Sequence, residues 1–201
     1  MEVVISSQRD VKTRSITDIF LKTLPEDFIS LLGEQYIDKA YLVEFLRSPK
    51  CVIILALEKE NIVGFLLACD SVSLTNRSVL SHKSIFIKSC VTSFFKRPIS
   101  FSLSSLSVAW LLLGKDSAIS QEKKVELCYV GILAEYRNKG LGSELVRVLL
   151  NQCRNLKNVN TVFVKTLNGT GDRAASSFYK SQGFSVFKRY RNRIWLKREV
   201  D

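Results

Sequence analysis

The residues with the clearest chemistry are Arg137-Asn138-Lys139-Gly140-Leu141-Gly142. Glycines at 140 and 142 let backbone N–H groups come close to an anion. Leu145, Val146, Leu149, Leu150 and Cys153 form an apolar helical stripe behind them. A helix is therefore expected to start near Ser143 and aim its positive end at the same point. Arg137 and Lys139 add charge. Residues 138–143 read as a cradle for a diphosphate. No Gly-Lys-Ser/Thr follows, and the three spaced glycines of a dinucleotide-binding turn are absent, which disfavours nucleotide hydrolysis and hydride transfer. His82 is the only histidine, and the five cysteines, at 51, 69, 90, 128 and 153, never come within a CxxC spacing. A zinc site and a His-based triad are excluded on that count. The cysteines read as small core residues in a reducing cytoplasm.

The elements that must position this turn can be read from periodicity. Residues 125–132 (VELCYVGI) are a strand leading into it, and residues 161–166 (TVFVKT) are the next strand after the helix. Residues 172–181 form a second helix with Asp172 as its N-cap and Ala174, Ala175, Phe178 and Tyr179 on its apolar face. Gln182-Gly183 ends it. Residues 184–190 and 193–198 make a terminal basic hairpin. Upstream, residues 15–46 hold two helical patterns broken at Pro25, and residues 51–57 and 62–69 read as a hairpin of buried strands. Between 71 and 120 lies a separate unit with six bases and one acid, Asp116. Ile87, Val91, Phe94 and Phe95 line one helix face there. After Pro98, Ile99, Leu103, Leu106, Trp110 and Leu113 line another. The order αα-ββ-(αα)-β-α-β-α-ββ implies one domain over 1–201, a mixed α/β sheet with helices on both faces, and a helical insertion at 71–120.

At this point the sequence resembles the GNAT superfamily of acyl-CoA-dependent N-acyltransferases. Its signature, (Gln/Arg)-x-x-Gly-x-(Gly/Ala), stands here as Arg137-x-x-Gly140-x-Gly142. A second block, Asp172-x-x-Ala175-x-x-Phe178-Tyr179-x-x-x-Gly183-Phe184, is similar to the family's Asn-x-x-Ala-x-x-Phe-Tyr-x-x-x-Gly-Phe. The resemblance covers residues 125–198 by motif and 1–70 by topology, and leaves the insertion outside. It implies a mixed, mostly antiparallel sheet of six or seven strands, with the insertion before the fourth. It also implies direct acetyl transfer from acetyl-CoA to a primary amine in a ternary complex, without a metal. Glu126, six residues before the end of the fourth strand, takes the place of the family's general base, and its apolar strand would raise its pKa. Tyr179 takes the place of the acid that protonates the leaving thiolate. Cofactor contacts are implied for Val130, Gly131, Ile132, Arg137, Asn138, Lys139, Gly140, Leu141, Gly142 and Ser143. A backbone N–H among Val130–Ile132 would hold the oxyanion, with Gly131 permitting a bulge.

The charge sum is +11 and the pI about 9.6, so an anionic partner or a basic face is expected. Lys165, Lys180, Lys188, Arg189, Arg191, Arg193, Lys197 and Arg198 suit a small-molecule acceptor carrying negative charge, such as a nucleotide-linked amino sugar. A protein N-terminus or lysine remains the competing acceptor, and a catalytically idle acyl-CoA-binding sensor the competing class. Nucleic acid is disfavoured, because the bases follow no known module pattern. The longest uncharged run, residues 98–114, falls short of the roughly 20 residues a bilayer span needs and carries five serines. The N-terminus lacks the apolar region of a signal peptide, so a cytoplasmic monomer or homodimer is expected. For the insertion, four roles stay open: plain packing, a lid over the acceptor, a dimer contact, or a membrane-surface contact.

Overall fold

Seven strands form one sheet in the order β1-β2-β3-β4-β5-β7-β6. The computed structural model describes residues 1–5, 13–69, 74–103, 105, 124–156, 159–167, 173–190 and 193–200. The strands are β1 (Glu2–Ile5), β2 (Cys51–Glu58), β3 (Asn61–Cys69), β4 (Lys124–Ile132), β5 (Thr161–Leu167), β6 (Ser185–Tyr190) and β7 (Arg193–Glu199). Every neighbouring pair is antiparallel except β4 with β5. β1 was not expected from the sequence. Four residues are too few for a periodic signal, and their strand form comes from pairing with β2. β2 and β3 turn through Lys59 and Glu60, both at positive φ (46° and 70°). That two-residue geometry matches the twist of the flanking strands.

Each face of the sheet has its own core. On one side, α7 (Leu141–Asn155) and α8 (Arg173–Ser181) bury Leu145, Val146, Leu149 and Tyr179 against Val125, Leu127, Val162 and Val164. On the other lie α1 (Thr13–Thr23) and a broken helical run: α2 (Phe28–Leu31), α3 (Glu34–Tyr36), a π-turn (Ile37–Tyr41) and α4 (Leu42–Arg47). These bury Phe20, Tyr36, Phe45 and Phe65. α7 begins at Leu141, two residues before the expected start, because Gly140 at φ 81° already serves as its N-cap.

The insertion contributes α5 (Leu74–Ser81), which the sequence did not suggest, α6 (Lys83–Lys96), and helical residues 98–103. Leu106, Trp110 and Leu113 lie outside the described residues, as does Asp172. α6 packs on the α2–α4 layer with the face opposite to the one its apolar stripe predicts. Its inward face carries Phe86, Ser89, Cys90 and Ser93, while Ile87, Val91, Phe94 and Phe95 point outward. One hydrogen bond and a ring contact from α6 accompany the reversal, and α5 adds a second bond to the same layer. Ser93 Oγ donates to the Leu31 carbonyl, and Ser78 Oγ on α5 pairs with Tyr36 Oη at 3.1 Å. Tyr36 and Phe86 also meet ring to ring, with centroids 5.7 Å apart. The sole histidine, His82, joins α5 to α6, with Nε2 3.3 Å from Glu44 Oε1.

Candidate active site

The expected bulge in β4 exists, but it falls at Cys128 and not at Gly131. Ala68 pairs with Leu127 and Leu67 with Tyr129, leaving Cys128 as the extra residue. One inserted residue reverses which face every later side chain occupies. Val125 and Leu127 therefore face α7, and so do Val130 and Ile132 beyond the bulge. Glu126 faces the α1 side from before the bulge. Tyr129 and Gly131 join it there from beyond. Gly131 is required by close packing: a Cβ there would lie 2.6 Å from Phe65 Cε1 and 2.7 Å from Thr23 Oγ1.

On this face the chain brings together ionisable groups from four elements. Glu126 Oε1 is 3.1 Å from Lys165 Nζ, which comes from β5. Burial pushes the Glu126 carboxyl above the usual carboxylate range, while Lys165 and Arg193 pull it back. Asp27, the N-cap of α2, accepts from Ile29 N at 2.9 Å and from Tyr129 Oη at 3.1 Å. Burial raises its pKa too, against those hydrogen bonds. Lys165 also lies over the Trp195 ring, 4.7 Å from its centroid. The buried Nε of Arg193 has no hydrogen-bond partner among the described residues. Sequence reasoning assigned no role to Asp27 or Tyr129. Asp27 follows Pro25-Glu26 and precedes Phe28-Ile29, a legible cap signal, but its tie to Tyr129 depends on the bulge.

Between β4 and β5 the sheet parts. Four rungs join them, from Lys124–Thr161 to Leu127–Val164. Beyond these, β4 continues with β3 alone, while β5 follows β7 through Lys165–Trp195 to Leu167–Arg193. Leu133 N donates to Val63 O on the β3 side. N–H groups two residues apart along a strand point the same way, so those of Val130 and Ile132 face the opening and that of Gly131 does not.

The glycine turn stands at the same end of β4. Asn138 and Gly140 adopt positive φ, 59° and 81°. No side chain caps α7, so the N–H groups of Leu141, Gly142 and Ser143 lack intrahelical partners. Arg137 Nε donates to Ile132 O at 3.0 Å and ties the turn to the strand, leaving the Nη groups for an anion. Lys139 Nζ sits over the Tyr136 ring, and Tyr136 Oη donates to Glu58 Oε2 at 2.6 Å. Gly140 is open: a Cβ there would meet nothing within 4 Å. Gly142 is not. A Cβ would lie 3.2 Å from Phe178 Cζ, so its smallness serves α7–α8 packing. Ser143 Oγ accepts from Gln182 Nε2 at 3.0 Å.

Tyr179 lies buried in the core on the opposite face. Its ring meets Phe178 and Phe184 edge to face, with centroids 5.1 and 5.7 Å away. Burial drives its pKa well above the ordinary phenol value. Glu126 and Tyr179 are thus on opposite sides of the sheet. Among the described residues no His, Cys, Asp and Glu cluster could hold a metal ion.

The β4–β5 seam thus parts beside a cationic glycine turn at the start of the following helix, an arrangement suited to an anion. A profile of the acetyltransferase (GNAT) family matches residues 14–184, and the chain belongs to that family. No curated protein matches by sequence. Among solved structures, the aminoglycoside 6'-N-acetyltransferase from Enterococcus faecium is similar at 13% identity and a TM-score of 0.58, covering 100% of this chain and 98% of that one. The ribosomal-protein-S18-alanine N-acetyltransferase from Escherichia coli is similar at 12% identity and a TM-score of 0.59, covering 99% and 94%. PaiA N-acetyltransferase from Thermoplasma acidophilum, in complex with coenzyme A, is similar at 13% identity and a TM-score of 0.60, covering 99% of both chains. These likenesses bear on fold alone.

Proposed function

We propose that the protein moves an acetyl group from acetyl-CoA to the primary amine of a small acceptor, such as an amino sugar or nucleotide-linked amino sugar. The parting of β4 from β5 carries the reading, because it leaves the N–H groups of Val130 and Ile132 facing an opening, with the glycine turn at the same end of β4. The residues fit the cosubstrate. The uncapped N–H groups of Leu141, Gly142 and Ser143, with Asn138, Lys139, Gly140 and the Arg137 Nη groups, would hold the diphosphate. Acetyl-CoA supplies an acetyl thioester.

Glu126 takes the proton of the acceptor ammonium, directly or through water, freeing the nitrogen lone pair to attack the carbonyl carbon. The N–H groups of Val130 and Ile132 hold the negative charge that develops on the carbonyl oxygen. As the C–S bond breaks, Tyr179 gives its phenolic proton to the sulfur, the nitrogen loses its second proton to water to leave the neutral amide, and the phenolate is reprotonated from solvent. Asp27 and Glu126 together favour a cationic amine on the acceptor side. Phe101 of the insertion packs on Phe28, the chain neighbour of Asp27, centroids 5.9 Å apart, which sets the insertion beside the proposed acceptor side.

Thiol release from acetyl-CoA should be assayed with panels of amino sugars, nucleotide-linked amino sugars and peptides. Release with a sugar amine and none with peptides is expected. Preference for a peptide N-terminus or lysine would replace the acceptor class. Tight acetyl-CoA binding with no release on any amine would make the protein an acyl-CoA sensor.

A further inference from the structure

The outward face of α6 is left unexplained by acetyl transfer. Ile87 is 61% exposed, Phe95 79% and Ile99, just beyond the helix, 76%; Val91 and Phe94 lie between them. At about 100° per residue, Ile87, Val91, Phe94 and Phe95 form one continuous stripe, with Lys83 on one border and Lys88 on the other. Lys96 and Arg97 follow at its C-terminal end, and Arg77 stands on α5. No Asp or Glu occurs from 71 to 115. Exposed apolar patches of this size mark contact surfaces.

We propose that this face docks on the surface of a bilayer containing anionic phospholipid. Lysines flanking an apolar stripe can lay their stems along it and place their ammonium groups among phosphates. Phe94 and Phe95 would enter the boundary between headgroups and acyl chains. The helix would lie in the plane, since none among the described residues is long and apolar enough to cross a membrane. A second copy fits less well. A two-fold contact sets the same surface against itself, so base would meet base with no acid to offset it. A nucleic acid fits less well too, because Ile87, Val91 and Ile99 offer nothing to base stacking.

Co-sedimentation of the full chain with vesicles tests the proposal. Pelleting is expected with equal parts phosphatidylcholine and phosphatidylglycerol, not with phosphatidylcholine alone, and should weaken as salt rises. Paired changes Phe94→Ser with Phe95→Ser, and Lys83→Glu with Lys88→Glu, should each lower vesicle affinity about tenfold or more, with acetyl-CoA binding kept as the check on folding. A Phe95→Trp variant should emit as a water-exposed indole in buffer and shift to the blue with anionic vesicles. Failure to pellet, equal pelleting with neutral vesicles, or unchanged affinity in either paired variant would overturn the proposal. So would a blue emission already present in buffer, which would mean that the stripe is covered by the chain itself. A homodimer dispersed by the Phe changes in analytical ultracentrifugation would assign the face to a second copy instead.

Discussion

A carboxylate that takes a proton from an ammonium group works only while it is ionised. Burial raises the Glu126 pKa, so its contribution as the proposed base is present above that raised value and is lost as pH falls through it. The acid limb of kcat/KM should therefore lie above the range of an ordinary glutamate. Lys165 opposes the shift from 3.1 Å away. Lys165→Met should move the limb further up in pH, and an unmoved limb would detach it from Glu126. Glu126→Gln should lower kcat/KM by about 10²-fold or more and abolish the limb. Tyr179, as the proposed acid, has the opposite requirement: it must hold its proton until sulfur leaves. Burial keeps it protonated across the working range, so Tyr179→Phe should cut kcat by about 10²-fold and leave the limb in place. Wild-type turnover in that variant, with chemistry rate-limiting, would assign the ring to packing against Phe178 and Phe184.

At the scale of elements, helices and strands with several turns or alternations of pattern were legible, and so was the glycine turn. What was not legible depended on single residues acting against the pattern. The extra residue at Cys128 puts Tyr129 on the face of Glu126, although their spacing of three in a strand places them on opposite faces. No composition marks it: Cys128 is an ordinary strand residue with its Sγ 3.5 Å from that of Cys69. α6 inverted for a similar reason: its inward face sets Ile85, Phe86 and Cys90 against the core, and the Ser93 hydroxyl donates to the Leu31 carbonyl. The two glycines of the turn look alike in sequence and differ in space. Gly142→Val should destabilise the fold by about 1–3 kcal/mol through crowding of Phe178. Adding Phe178→Leu should recover part of the lost melting temperature. Full additivity of the two changes would show that they do not touch.

For the molecule as a whole, the sheet has two parts of different chain economy. β1–β4 lie in chain order along one side, while β5, β7 and β6 make up the other, with β7 between β5 and β6. Only the four rungs from Lys124–Thr161 to Leu127–Val164 join them. The rungs at the end of a short ladder, beside an opening, should be the first to let go in the native state. Amide hydrogen exchange should thus be faster at the Leu127 and Val164 end than in the β2–β3 hairpin. A guest wedged into the opening binds only the closed form, so adding acetyl-CoA should slow exchange at those rungs more than in the hairpin. The place where the chain is least finished as a sheet would then be the place where its cosubstrate completes it, and ligand occupancy could be read directly from the exchange rate of a few amides.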